Sequence, residues 1–392
     1  MAEEMAWTVA RARARDLGSA SARRSVAALG DAVGRVLGSD LFSMVDLPPF
    51  DTSAMDGWAV RGQGPWTVVG DCRAGDPPRS LEHRECVRIS TGAVAPADSA
   101  VLRSEDGRER DGVVSGSSAP PVGKDIRRRG EEVRTGERIL REGQLLTPPA
   151  LGLAAAAGLD TVEVVPLPRV AVLILGDELA HKGLPVGGQV RDALSPQLPA
   201  WVEAMGADLV SLTWVADSLA ATQRALDAAE ADVVITTGGT ARGPADHLRN
   251  AVEAASGEWL VDGVAVRPGH PMKLGVLTGE RALVALPGNP LAAVSGLVTL
   301  AWPLLDASAG RDPRPPLARP LVVGVDASPG AHRLVPGQME GGAVRLTTRR
   351  GPAMLSGMAT ADVLAVVPPG AHAEAGTHVD VLSLPWGAGL LV

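Results

Sequence analysis

Residues 168–306 constrain the fold most, because apolar runs of strand length alternate there with segments of helical pattern. Val170–Leu175 is continuously apolar, and Asp208–Val215, Val233–Thr237 and Arg281–Leu286 are three further strand-like runs. Between and after them, Pro199–Met205, Ser218–Glu230, Pro244–Ala255 and Pro290–Leu305 suit helices. Asp217 or Ser218 is placed to cap the second of these, and Pro244 to begin the third. This order predicts a parallel sheet covered on both faces. Ligands of such sheets sit beyond the carboxyl ends of the strands. TTGGTARGPAD (236–246) and LPGNP (286–290) fall at those ends.

The flanks read differently. Residues 1–40 suggest amphipathic helix, with Val26, Leu29, Val33 and Val36 at helical spacing. Residues 46–135 carry short β-branched runs such as Trp66–Val69 and Cys86–Ile89, broken by Gly, Pro and Asp, and predict a β-rich module. Residues 110–123 read as a solvated loop within it. QLLTPPALGLAAAAG (144–158) predicts a helix with Thr147 as N-cap and two prolines in its first turn. After a proline-rich linker, Asp312–Pro320, strand-like runs at Leu321–Val325, Ala343–Thr348, Val363–Val367 and His378–Leu384 predict a small all-β domain. At 392 residues the chain is long enough for two to four domains.

Composition narrows the function classes. A net charge of -8 argues against a nucleic-acid backbone as main partner, yet leaves room for a small anion in a local basic pocket. The two cysteines form no CxxC pair, and the seven histidines show no zinc-ligand spacing, so neither a disulfide framework nor a zinc site is expected. No apolar signal core and no run of about 18 apolar residues is evident, which predicts a cytoplasmic protein that neither enters nor spans a membrane.

Three local patterns could carry chemistry. The glycines of Thr237-Gly238-Gly239-Thr240-Ala241-Arg242-Gly243 let backbone N–H groups approach an anion, next to a helix N-terminus. Asp246 in that helix could serve the site or merely stabilise the helix end. Pro287-Gly288-Asn289-Pro290 is a second constrained turn, by itself an ordinary strand-to-helix connection. Arg127-Arg128-Arg129 beside Glu131 and Glu132 is either a solvated face or a phosphate clamp.

Taken in order, LPPFDTSAMDGWAV, RISTGA, DIRRRGEE, GDEL, TTGGTARGPAD, PGHPMKLG and LPGNP resemble the molybdopterin molybdenumtransferase family, the MoeA type related to the C-terminal region of gephyrin. The likeness runs from about residue 40 to the C-terminus. It implies a multi-domain α/β plus β architecture, with a central MoaB/MogA-like three-layer α/β/α parallel sheet. An N-terminal helical and linking part (1–45 and 136–166) would carry an inserted β-rich domain (46–135), followed by a molybdopterin-binding α/β domain (167–310) and a C-terminal β-domain (315–392). It also implies a homodimer whose cleft draws on the α/β domain of one copy and the inserted domain of the other. Upstream adenylyltransferases and downstream molybdoenzymes would be transient partners.

The resemblance assigns catalytic roles to Asp56, Thr91, Glu132, Glu178, Asp217 and Asp246. It assigns substrate binding to Arg127, Arg128, Arg129, Thr237, Gly238, Gly239, Gly243, Arg267, Lys273, Pro287, Gly288, Asn289 and Pro290. Asp217 and Asp246 would hold a Mg²⁺ ion against the pyrophosphate of adenylylated molybdopterin while molybdate enters the dithiolene and AMP leaves. Several positions depart from the family pattern: Ala241 and Ala292 stand where serines are usual, Leu175 replaces a small hydroxyl, Arg191-Asp192-Ala193-Leu194 keeps only the aspartate, and His270 replaces a lysine. Two readings follow, a working insertase or a non-catalytic molybdopterin-binding carrier or regulator. An adenylyltransferase acting one step earlier would share only the α/β domain.

Overall fold

The computed structural model describes residues 4–240 and 247–386. The chain divides into two compact units, residues 1–25 with 165–392, and residues 26–164. The first 25 residues therefore go with the larger unit, whereas the sequence reading groups them with 136–166.

In the larger unit a six-stranded sheet runs in the order Asp208–Val215, Arg169–Leu175, Val233–Thr237, Arg281–Leu286, Lys273–Leu277, Glu258–Asp262. The first four strands are parallel, as their patterns predict. The last two are antiparallel, which corrects the expectation of a wholly parallel sheet. The cause is local: Leu277 and Arg281 face each other across a turn in which Gly279 and Glu280 both take positive φ, and this reverses the chain into a hairpin. Both faces are covered. Val170, Val172 and Ile174 enter one core and Ala171, Leu173 and Leu175 the other, the alternation a strand imposes. Helices Leu198–Ala204, Leu219–Ala228 and Leu248–Ala254 pack through buried side chains that belong to these cores. Of the two candidate caps, Ser218 is the one used: its hydroxyl accepts from the Ala221 N–H at 3.2 Å.

The closing helical segment runs from Pro290 to Ser308, with a π-helical turn over Leu297–Ala301. By length and composition its 19 residues could cross a membrane, which corrects the expectation that no such run exists; here 94% of its most apolar window is buried inside the protein. Helix Trp7–Ser21 packs along it with Trp7, Ala10, Ala14 and Gly18 buried. The Trp7 indole N–H donates to the Thr299 hydroxyl at 3.0 Å. Helix does not continue to residue 40 as expected. Val26 and Leu29 fall in strand Ser25–Ala28 and turn Leu29–Asp31, Val36 in strand Val36–Leu37, and Val26 is 74% exposed. Gly30 and Gly34 each cost a helix about 1 kcal/mol, enough to forfeit a weak apolar stripe.

A second sheet of the larger unit orders Val266–Arg267, His332–Glu340, Val363–Val367, His378–Ser383 and Leu317–Pro320, with Ala343–Leu346 paired to His332–Glu340. The strand expected at Leu321–Val325 lies instead at Leu317–Pro320, inside the supposed linker, and the nine-residue strand His332–Glu340 was not foreseen. Leu334, Leu364 and Val366 share a core with Trp201 and Leu291, so this sheet is fused to the α/β part.

The smaller unit contains a six-stranded sheet ordered Ala100–Arg103, Gly57–Val60, Glu85–Ile89, Trp66–Cys72, Val113–Gly116, Gly107–Arg110. The β-rich expectation holds, but the loop expected over 110–123 contains a strand, and Val114 is fully buried. Helix Pro148–Ala156 forms as predicted, with the Thr147 hydroxyl accepting from the Ala150 N–H.

Candidate active site

Each unit brings together part of the sequence-predicted set. In the smaller unit, the turn after strand Thr52–Ser53 is held by the Ser53 hydroxyl, which donates to the Met55 carbonyl at 2.5 Å. Gly57 closes it at φ +150°, and a Cβ there would lie 2.1 Å from the Leu102 carbonyl oxygen, so only glycine fits. This presents the exposed Asp56 toward Thr91, whose backbone N–H and hydroxyl both donate to one carboxylate oxygen at 2.7 and 3.2 Å. Asp56 and Thr91, 35 residues apart, thus form one acidic–hydroxyl pair.

The arginine run does not act as a uniform clamp. Ile126–Arg127 pairs antiparallel with Thr52–Ser53. Arg128 is tied to the Asp51 carboxylate at 2.6 Å, and the Arg129 side chain to Asp46 at 2.5 Å. The Arg129 backbone N–H also bonds Asp51, and with the Arg128 contact it holds that carboxyl below its usual range against the opposing effect of burial. Asp46 is drawn down to about 2, first by the Thr135 backbone N–H and then by Arg129. Arg127 is exposed, with no side-chain partner among the described residues. Glu132 is exposed, its backbone N–H bonded to the Leu47 carbonyl.

In the larger unit the parallel register aligns four strand ends. Val215 faces Leu175, Ile174 faces Thr237, and Thr237 faces Leu286. The segments that follow therefore lie in a row: Asp217, then Gly176-Asp177-Glu178, then Gly238-Gly239, then Pro287-Gly288-Asn289-Pro290. Gly238 has φ +82° and its N–H donates to the Leu286 carbonyl, while a Cβ would sit 3.0 Å from the Leu175 carbonyl oxygen. Thr237 is buried. Asp177 and Asp217 each donate a backbone N–H to the other's carboxylate at 3.2 Å, and Glu178 is exposed beside them. Among the described residues no cluster of three metal-ligating side chains occurs. Gly243 and Asp246, like Ala241, lie outside the described residues.

The row ends at a cavity of about 540 Å³, whose lining includes Pro287, Asn289, Ala292, Arg267, His270, Arg333 and Arg350. Among the described residues no carboxylate lines it. Arg267, after a bond to Glu4 at 3.1 Å, keeps its place on the wall. Burial first, and then the neighbouring Arg333, push the Arg350 guanidinium below its usual range, with Asp326 opposing. Such a surplus of positive charge is a built preference for an anion. Lys273 is not part of it: its side chain is 4% exposed and its ammonium is ion-paired with Asp262.

Sequence reasoning missed Asp177, although GDEL was noticed, because its backbone role is invisible in a motif. It missed Arg333 and Arg350 because the strand carrying the first was not recognised.

Comparison with known proteins decides the family. Residues 5–158 match the MoeA N-terminal region (domains I and II), residues 171–307 a probable molybdopterin binding domain, and residues 319–384 the MoeA C-terminal region (domain IV). The chain is 37% identical to molybdopterin molybdenumtransferase 2 of Mycobacterium tuberculosis over 78% of its own length and 80% of that protein's. The chain belongs to the molybdopterin molybdenumtransferase family. The molybdopterin molybdenumtransferase of Synechococcus elongatus is 32% identical, with 89% of this chain and 92% of that one covered. That of Haemophilus influenzae is 34% identical over 72% of each. The fold agrees with that of the molybdopterin biosynthesis MoeA protein from Pyrococcus horikoshii, at a TM-score of 0.80, 24% identity and coverage of 98% of this chain and 100% of that one. The protein is thus a transferase of molybdenum-cofactor biosynthesis, with the multi-domain α/β plus β architecture of this family.

Proposed function

We propose that this protein inserts molybdate into adenylylated molybdopterin and releases AMP. The observation that carries the reading is the basic cavity at the end of the strand-end row, lined by three arginines and by no carboxylate among the described residues. A tetrahedral dianion such as molybdate fits a wall bearing Arg267, Arg333 and Arg350, because guanidinium groups offer charge and forked donors together. The Gly238–Gly239 turn beside it suits the phosphates of the nucleotide, since its backbone can approach an anion without side-chain interference. The division of labour is electrostatic: arginines and backbone donors let several anions share one site while the pyrophosphate linkage breaks.

Asp217 with Asp246, and Asp177 alongside, would hold a magnesium ion. Two carboxylates facing a phosphate are the donor set that ion commonly accepts. When bound, magnesium supplies positive charge against the pyrophosphate. Asp56, Thr91, Glu132 and Glu178 are proposed as the remaining catalytic groups, Arg127–Arg129, Thr237–Gly239, Gly243, Arg267 and Pro287–Pro290 as substrate contacts. We propose a cytoplasmic homodimer in which the half-site carrying Asp56 and Thr91 completes the cleft of a second copy. The finer division into an inserted part (46–135), an α/β domain (167–310) and a terminal β-domain (315–392) belongs to the same reading.

Ala292 in the cavity wall favours a second reading, a non-catalytic binder, because it offers no hydroxyl to an oxyanion. One experiment separates the two. Purified protein is given adenylylated molybdopterin with and without molybdate, and AMP is measured. Release only with molybdate supports the insertase; tight binding without release at any molybdate concentration supports the binder.

A further inference from the structure

We propose that His270 makes oxyanion binding in the basic cavity proton-coupled, so that the protein takes up a proton as it binds the dianion. This rests on the reading of that cavity as an oxyanion site. His270 lines the wall together with Arg267, Arg333 and Arg350, and among the described lining residues it is the one whose side chain type ordinarily changes charge near neutral pH. It is exposed and has no side-chain hydrogen bond or ion pair among the described residues.

Among the described residues, the charges that line the cavity with it come from three elements. Arg267 lies on its own loop, Arg333 on strand His332–Glu340, and Arg350 on the loop after Ala343–Leu346. The helix beginning at Pro290 contributes the uncharged Ala292. Two acids next to these arginines are engaged: Glu4 pairs with Arg267, and the Asp326 carboxylate bonds the His372 ring at 3.0 Å. A bound dianion favours the imidazolium, which then donates to the oxyanion. Proton and anion therefore bind together, and each strengthens the other by the same factor. The arginines set a constant affinity at alkaline pH; His270 adds a further increment as pH falls.

The sign is fixed. The charged form binds the anion, so affinity rises as pH falls through the neutral range and levels off once His270 is protonated without ligand. The slope is limited to about tenfold per pH unit for one proton. The test is calorimetric titration of the full-length protein with sodium molybdate between about pH 6 and pH 8.5, in two buffers of different ionisation enthalpy. The wild type is expected to weaken about tenfold across that range and to take up a substantial fraction of one proton per anion near pH 7.5. His270→Gln should bind at the weak alkaline level at every pH, without proton uptake. His270→Lys should bind tightly and almost independently of pH. Wild-type binding that is flat with pH, or a Gln variant that keeps the slope, overturns the role of His270 while leaving the oxyanion cavity intact. No molybdate binding by wild type or His270→Lys at any pH overturns the cavity reading, and this inference with it.

Discussion

Asp177 and Asp217 hold each other: the backbone N–H of each donates to a carboxylate oxygen of the other, both at 3.2 Å. One oxygen of each carboxylate joins two neighbouring strand ends, and the second makes no hydrogen bond among the described residues. Asp217→Asn keeps an acceptor for the Asp177 N–H but loses the negative charge. Magnesium-dependent AMP release should fall at least about 100-fold, with the melting temperature within about 2 °C of wild type, as expected for an exposed carboxylate. Asp217→Ala should lose the backbone acceptor as well and loosen both loops. Normal specific activity in the folded Asn variant would remove Asp217 from the site.

The cavity makes a different demand. Arg350→Gln keeps most of the side-chain volume and removes the charge. Loss of one charge-assisted contact of about 1.5–3 kcal/mol predicts a rise of roughly 10- to 150-fold in the molybdate concentration needed for half-maximal AMP release. The affinity for adenylylated molybdopterin, measured separately, should change much less. An equal loss for both ligands would mean that Arg350 serves the fold and not the oxyanion.

Ala292→Ser tests the departure that faces this cavity. Ala292 is buried near the start of the helix beginning at Pro290, so a hydroxyl there needs little new space. It should lower the molybdate requirement, by about tenfold if the hydroxyl donates directly and less if water already fills that position. A steady-state molybdate titration of both proteins decides it, and an unchanged or higher requirement counts against a missing hydroxyl at this point.

Gly18 tests the packing of the N-terminal helix. A Cβ at this position would lie 2.2 Å from the Leu304 carbonyl oxygen and 3.0 Å from the Ala307 side chain. Gly18→Ala should therefore destabilise the protein by about 1–3 kcal/mol, despite alanine's better helix propensity. Urea unfolding measures it. A stabilised variant would show that the two helices are not so closely apposed.

The sequence made some of this legible and hid the rest for identifiable reasons. Val233–Thr237 and Arg281–Leu286 form strands at the bounds their patterns suggest, because buried parallel strands leave an apolar run, and the largely exposed edge strand Asp208–Val215 forms at its expected bounds too. The row of loops at their ends follows from strand order. Lys273–Leu277 and Glu258–Asp262 were missed because they carry Gly275, Trp259 and mixed polarity, and their antiparallel pairing depends on a turn conformation. His332–Glu340 contains Pro336 and Gly337, which argue locally against a strand; only its pairing with Val363–Val367 makes it one. Arg333 and Arg350 could not be assigned to a cavity before that pairing was known. Lys273 shows the converse, a position marked by family motif whose side chain in the fold answers Asp262.

The partnership of Trp7 with Thr299 also has a meaning in time. The two residues are 292 positions apart in the chain. At about 5–20 residues per second, roughly 15–60 s of synthesis separate Trp7 from the hydroxyl that satisfies its indole. Throughout that interval Trp7, Ala10 and Ala14 have no Pro290–Ser308 segment to rest on, and residues 26–164 leave the ribosome first. Helix Trp7–Ser21 is therefore made well before the segment it packs on, and its buried stripe of Trp7, Ala10, Ala14 and Gly18 stays uncovered until that segment arrives.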